Sequence, residues 1–453
     1  MPDSNPKTGV AKKTYTLFVT TEVFQTGFFW FISTVGSSVI LSQTNRMNEN
    51  AAFMSSMVVL FVSSAFWEVV TGWYADNFRR RTSLAAGFGC CAAGFVALIV
   101  GAAKQDLSIW LTGIGVWSLG TALSSGAQQA WVVDRCRYLE NDDEYDDFEA
   151  TFRMSASYSL IARSLGVAIG FGGFWVFGIQ SLEHVQSNDS VFAIGALTSP
   201  FVLLCMAFSF YCSRLNEEYW TQPTRDEDEP VLTFIWRAAL GVVCPPYCWF
   251  TLALAGLLGL NYIPSATAWR FAKNATGADG IPLVFIVILF AELVGGTLSF
   301  VLPKLVDKLA NMLARLAIVA AVYVVPLTAM YCVPVIGLDG NDKQLERLGL
   351  FTTMGLAALL YRSAFAGMFG SLIASGQRAI KEEKRRALML SLSSAAALIC
   401  TSIPFLWGYK YSETLTLNGN IAWLWKHATP PFLIMLIVGS LLLLRHPSNH
   451  SDA

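Results

Sequence analysis

The chain has 453 residues, 54% of them hydrophobic and 14% charged, with a formal net charge of −1. Soluble domains carry roughly 25% charged residues, so this composition is too poor in charge to face water on all sides. The near-neutral balance also sets nucleic acid aside as a partner.

The apolar residues come in long blocks separated by short polar breaks. A bilayer span takes about 20 apolar residues. In chain order the blocks predict spans at 15–41, 52–75, 83–103, 107–133, 155–179, 190–212, 247–269, 281–303, 312–334, 348–375, 386–409 and 427–445. The polar residues ahead of the first block are not followed by a short apolar stretch with a small-residue cleavage site, which predicts no signal peptide. The longest polar interruption, 213–230, ends in the acidic run Asp226, Glu227, Asp228 and Glu229 and then Pro230. It divides the spans six and six. The stretch 231–243 then predicts an amphipathic helix on the membrane surface, with Trp236 and Arg237 at its interface. Pro245 and Pro246 stop it before the seventh span.

The expected fold is therefore an all-α integral membrane protein of 12 transmembrane helices in two pseudo-symmetric six-helix bundles. Residues 1–212 form the first bundle, 213–246 a cytoplasmic linker with its amphipathic helix, and 247–453 the second bundle. Internal duplication is common among transporters. Glu68 lies four residues before Gly72 in span 2, and Glu292 lies four before Gly296 in span 8, an echo at equivalent places.

Orientation follows from the basic residues. With the N-terminus inside, the cytoplasmic segments hold 21 of the 31 lysines and arginines and the outer segments 8. Both termini are thus expected in the cytoplasm, in the cytoplasmic membrane. The nine cysteines are scattered, mostly in apolar blocks. Cys244 and Cys248 are one helical turn apart, which is neither a redox pair nor a zinc spacing. No metal and no other cofactor is expected.

The loop after span 2 reads Glu68-Val-Val-Thr71-Gly72-Trp-Tyr-Ala75-Asp76-Asn77-Phe-Arg79-Arg80-Arg81. It resembles the signature loop of the major facilitator superfamily, Gly-x-x-x-Asp-basic-x-Gly-Arg-basic, through Gly72, Asp76, Arg80 and Arg81. Asn77 replaces the first basic residue and Arg79 the glycine. Two further segments resemble those of bacterial drug-efflux-like facilitators. In span 4 it is Ser125-Gly126-Ala-Gln-Gln-Ala130-Trp-Val-Val-Asp134, and at the start of span 11 it is Arg386-Ala387-Leu-Met-Leu390-Ser391. The resemblance implies a two-bundle, monomeric carrier without catalytic activity. It makes Gly72, Asp76, Arg80 and Arg81, with Asp134 as their partner, a cytoplasmic latch that holds one access state. The physics agrees: a small Gly72 lets helices approach, and a carboxylate pairs strongly with arginine.

Ionisable residues inside the bilayer are costly and point to function. The candidates are Glu22 in span 1, Glu68 in span 2, Arg163 in span 5, Glu292 in span 8 and Arg362 in span 10. Glu22 and Glu68 lie roughly 10–12 Å from the cytoplasmic end at the rise of a helix; Glu292 and Arg362 lie near mid-span. The family's arrangement of spans lets Glu22 face Arg163 and Glu292 face Arg362. A carboxylate that exchanges water for an arginine can load and release a proton. A static ion pair that fixes helix packing is the other reading.

Polar residues at helical spacing suggest a cavity wall. Span 4 carries Trp117, Thr121, Ser124 and Gln128; span 1 carries Thr26 and Trp30; span 7 carries Asn261 and Tyr262. A mixed aromatic and polar lining suits an amphipathic or hydrophobic organic solute. Hydrogen bonding between helices is the alternative for each. Gly166, Gly170, Gly172 and Gly173 in span 5 resemble the glycine-rich motif of facilitator antiporters, although close helix packing also accounts for them.

The expected function is secondary active transport of a small solute by alternating access, as proton-coupled efflux, with protons and membrane lipids as further partners. Uptake symport of a nutrient or precursor is the alternative. An enzyme reading rests on Asp142-Asp143-Glu-Tyr-Asp146, an Asp-rich loop able to hold Mg²⁺ as in membrane prenyltransferases. The second such motif it requires, near Asp339 and Asp342, falls on the opposite side of the membrane by the charge count.

Overall fold

The computed structural model describes residues 19–20, 49–77, 80–104, 106–139, parts of 152–166, 188–214, 230–276, parts of 293–297 and of 365–377, 385–411 and 417–445. Among them the principal helices are α1 (Glu49–Asn77), α2 (Arg80–Lys104), α3 (Leu107–Leu139), α4 (Asn188–Arg214), α5 (Val231–Val243), α6 (Tyr247–Thr276), α7 (Arg386–Lys410) and α8 (Leu417–Arg445). These correspond to predicted spans 2, 3, 4 and 6, the amphipathic helix, and spans 7, 11 and 12. The expectations at 15–41, 155–179, 281–303, 312–334 and 348–375 fall wholly or largely outside the described residues.

Among the described residues, five segments are long and apolar enough to cross a bilayer: Met54–Ala75, Arg81–Gly101, Leu107–Ser125, Arg386–Lys410 and Lys426–Leu443. A sixth arises if α5 and α6, which meet at 77°, are taken as one bent span. The chain is a multi-pass membrane protein. Helices meet the demand of hydrocarbon that every backbone polar group be bonded within its own segment. Exposed apolar side chains repeat along the outer faces, as with Val62, Phe66 and Val70 on α1 or Leu203, Met206 and Phe210 on α4. Such stripes suit contact with acyl chains.

Local chemistry sets the connections. Between α2 and α3 the turn is tight, and Asp106 caps α3. Its Oδ1 accepts the backbone N–H of Ser108 at 2.8 Å and of Ile109 at 3.3 Å. Asp106→Ala is expected to cost about 1 kcal/mol, the usual value of a lost N-cap. A lowered melting temperature in detergent, with Asp106→Asn close to the parent, is the check.

Packing in lipid relies on small residues and interhelical hydrogen bonds. Helices α2 and α3 meet through glycines. A Cβ placed on Gly94 would lie 2.6 Å from the Trp117 backbone nitrogen, and one on Gly120 would lie 2.6 Å from that of Cys91. Ser83 donates across the same pair to the Leu123 carbonyl at 2.7 Å. Helix α4 lies on α2, where Ser209 donates to the Ala85 carbonyl at 2.6 Å. Helix α1 lies on α3, with Ser63 bonded to Ser118 at 3.1 Å. After the linker, α6 packs on α8, and α7 joins α6 through a 2.8 Å bond between Thr251 and Ser393. Helix α7 also packs along α1, so it ties the helices before the linker to those after it.

Helix α5 occupies the predicted 231–243. It rests on α7, with Gly241 against Met389 and the Arg385 guanidinium 5.3 Å from the Phe234 ring. Leu232, Trp236, Arg237, Leu240 and Val243 stay exposed.

Candidate functional site at the α1–α7 seam

Helices α1 and α7 run antiparallel in contact. Met54 meets Gly408, the rings of Phe61 and Phe405 lie 5.5 Å apart, Gly72 meets Ser391 and Leu388, and Ala75 clusters with Ala387. At the rise of an α-helix, the stretch from residue 54 to 72 measures about 27 Å. The two ends differ in character. Bulky rings fill the Met54 half, where Tyr262 of α6 adds an edge-to-face contact with Phe61 at 5.1 Å. Glycine, alanine and serine at the other end let the backbones come close.

Glu68 stands one turn before Gly72, where α1, α3 and α7 converge. Ser125 of α3 donates its hydroxyl to Glu68 Oε1 at 3.1 Å. The Ser391 hydroxyl of α7 lies beside the same carboxylate, short of good hydrogen-bond geometry. Thr71 donates to the Glu68 backbone carbonyl at 3.4 Å. An ionised carboxylate only accepts, whereas a protonated one also donates, and a serine hydroxyl turns to suit either state. Serine hydroxyls from two helices thus stand at the Glu68 carboxyl group.

A second polar group sits behind the seam. Arg386, first residue of α7, is 0% exposed, and Tyr247, first residue of α6, is 2% exposed and near it. The positive-inside count places Arg386 at the cytoplasmic end of its span; in the structure this side chain is wholly buried at the start of α7. Ser393, two residues past Ser391, turns to the opposite side of α7 and bonds Thr251.

The predicted site residues divide into four sets. Gly72 and Glu68 lie at the seam. Asp76, Arg80 and Asp134 lie in α1, α2 and α3, their side chains outside the described residues, while Arg81 is half-buried at the start of α2. Of the expected cavity stripe, Trp117 and Ser124 stand on the α3 face that meets α2, against Gly94 and Gly87. Thr121 donates to the Ser118 carbonyl at 2.9 Å. Gln128 and Asn261 are buried, and Tyr262 packs on Phe61. Glu22, Thr26, Trp30, Arg163, Glu292 and Arg362 lie outside the described residues, as does the Asp-rich loop.

Sequence reasoning quoted Ser125 and Ser391 as marks of a family and did not see them as partners of Glu68. Nothing in one sequence says which residues of three helices share a depth and a face. Tyr247 carries no signal beyond its place at a helix start, and Arg386 none beyond its place in the family-like segment that opens span 11.

No protein-family model matches the sequence, and no curated protein matches it. Solved structures match at the level of fold. A bacterial homologue of the iron transporter ferroportin, in an outward-facing state, superposes with a TM-score of 0.62 at 15% identity, over 95% of this chain and 98% of that one. The nucleoside transporter NupG gives 0.55 at 13%, over 95% and 98%. FucP, described as a major facilitator superfamily transporter in the outward conformation, gives 0.57 at 14%, over 96% and 100%. The fold is that of the major facilitator superfamily. The three segments that resemble this superfamily in sequence converge in space. Gly72 and Ala75 of the loop segment touch Ser391 and Ala387 of the α7 segment, and Ser125 of the α3 segment bonds Glu68.

Proposed function

We propose that the chain is a secondary active transporter that moves a small amphipathic or hydrophobic organic solute across the cytoplasmic membrane by alternating access, in the efflux direction and driven by protons. The observation that carries this reading is Glu68 at the seam. It is an intramembrane carboxylate bonded to a serine before the linker and beside a serine after it. A proton on that group changes the hydrogen bonds available between the two sets of helices, which is what coupling requires. In this reading residues 1–212 and 247–453 are the rocking halves, both termini are cytoplasmic and the carrier works as a monomer. Gly72, Asp76, Arg80, Arg81 and Asp134 form the latch at the cytoplasmic end. Glu292, paired with Arg362, is a second coupling carboxylate, and Glu22 pairs with Arg163. Thr26, Trp30, Thr121, Gln128, Asn261 and Tyr262 contribute to the solute path, with Trp117 and Ser124 supporting its wall from the α2 side.

Uptake is the second reading, favoured by one likeness. A structure of the E. coli fucose:proton symporter FucP matches over 96% of this chain and all of that one, at 13% identity and a TM-score of 0.56. The similar folds are named for iron, nucleosides and fucose, so the fold leaves the solute open.

The test begins with a thermal-shift screen of solutes on purified protein, followed by counterflow of the hits in proteoliposomes. Efflux coupled to protons predicts that collapsing the proton gradient raises cellular accumulation of the solute, and that Glu292→Gln lowers gradient-driven transport by about tenfold or more. Unchanged accumulation argues against coupling. Solute concentrated inside vesicles along an inward proton gradient, by protein of known orientation, decides for uptake.

A further inference from the structure

The Lys410 end of α7 and the facing part of α8 carry a group of side chains that the transport reading does not use. Trp407 and Tyr411 stack with centroids 6.0 Å apart and planes at 25°. Trp423 of α8 stacks on Trp407 at 6.3 Å and 22°, and His427 follows Trp423 at 5.1 Å. The Lys410 ammonium lies 5.5 Å from the Trp407 centroid and 5.7 Å from that of Tyr411. Lys410, Lys426 and His427 are all exposed. The described residues of 399–411 and 417–438 contain no Asp or Glu, while Glu413 lies outside the described residues.

Two apolar stripes run toward this cap. On α7, Ile399, Ile403 and Leu406 are exposed and share a face with Lys410, at helical spacings of four, three and four. On α8, Ile434 and Val438 are exposed on a face that leads back to His427. From Ile399 to Lys410 the helix rises about 16 Å, half of a hydrocarbon core of about 30 Å. Each stripe is therefore one leaflet deep and ends in cations and rings at the depth of headgroups. Aromatic rings favour that depth, and lysines there attract anionic lipid.

We propose that the cap formed by α7 and α8 binds an anionic phospholipid. Lys410 and Lys426 take the phosphate, the Trp407 and Trp423 rings lie against the glycerol region, and an acyl chain runs along Ile399, Ile403 and Leu406. Charge complementarity selects the occupant: a zwitterionic lipid covers the stripes equally well but leaves two cations without a net counter-charge. Under the topology proposed above, the lipid belongs to the outer leaflet.

The experiment uses the full chain in detergent, titrated with phosphatidylglycerol or phosphatidylcholine and followed by melting temperature and by native mass spectrometry of retained lipid. Phosphatidylglycerol is expected to raise the melting temperature more and to be retained in preference. Affinity should fall about fivefold for each lysine removed in Lys410→Gln and Lys426→Gln. Lys410→Arg and Lys426→Arg should keep the preference, and Trp407→Leu should weaken both lipids. Equal retention of the two lipids overturns the proposal, as does an undiminished phosphatidylglycerol preference in the double glutamine variant. A lipid-free dimer that disappears with the same two substitutions also overturns it, because a second copy of the chain then covers this face.

Discussion

Glu68→Gln is expected to cut gradient-driven transport by about tenfold or more while leaving solute counterflow within about twofold of the parent. The two assays separate because counterflow exchanges solute for solute and moves no net proton. Glutamine keeps the size and shape of the carboxyl group and still accepts from Ser125, now bonded to Glu68 at 3.1 Å. It cannot gain or lose a proton, so it holds one hydrogen-bond arrangement with Ser125 and Ser391 throughout the cycle. The fold should tolerate the change: a net hydrogen bond in a protein is worth about 1 kcal/mol, and this one is retained in kind. The melting temperature should therefore stay close to that of the parent. Ser391→Ala adds a reading that mere support of the fold does not move. Removing the hydroxyl that faces the carboxylate from α7 should shift the pH profile of gradient-driven transport and spare counterflow. Full gradient-driven transport in Glu68→Gln sinks the coupling role. Equal loss in both assays, with a large fall in melting temperature, assigns Glu68 to packing instead.

The outline of this fold was legible in the sequence because the bilayer imposes length and composition on each span. The helix at 231–243 and the start of α7 at Arg386 follow from where charge and proline interrupt apolar runs. The neighbours of each face were not legible. A polar stripe such as Trp117, Thr121, Ser124 and Gln128 says that a helix turns that face away from lipid. It does not say whether a cavity or another helix receives it. Here Gly87 and Gly94 of α2 receive Ser124 and Trp117. That close approach depends on small residues in a different span. Arg386 shows the same limit for charge: its place at the start of an apolar block does not say that the packed helices bury it completely. Glu68 was legible as an intramembrane carboxylate and its two serines as motif residues. Their juxtaposition needed the crossing of α1, α3 and α7.

Gly72→Leu should abolish transport and lower stability by about 1–3 kcal/mol, the usual cost of overpacking. A Cβ built on Gly72 lies 2.6 Å from Ser391 Cβ, 2.8 Å from Ser391 Oγ and 3.1 Å from Leu388 Cα. Carbon atoms attract best at about 3.5–4.0 Å, so even a methyl group drives the two helices apart. The seam at this end then cannot close, and the access state that depends on its closure is lost. Gly72→Ala is the milder form and permits a sharper test. Two of the three short contacts are with the Ser391 side chain, which Ser391→Gly removes. Ser391→Gly is itself costly, since glycine weakens a helix by about 1 kcal/mol and the Glu68 carboxylate loses its α7 neighbour. The double variant should nonetheless be more stable than the sum of the two single changes predicts, by about 1 kcal/mol in a double-mutant cycle. Full recovery is not expected, because Leu388 Cα stays at 3.1 Å and is backbone. Gly115→Ala serves as the control, as no atom lies within 4 Å of a Cβ placed there. If Gly72→Ala proves as harmless as Gly115→Ala, or if the two changes simply add, the seam is not the tight contact described and α1 and α7 do not close on each other at this end.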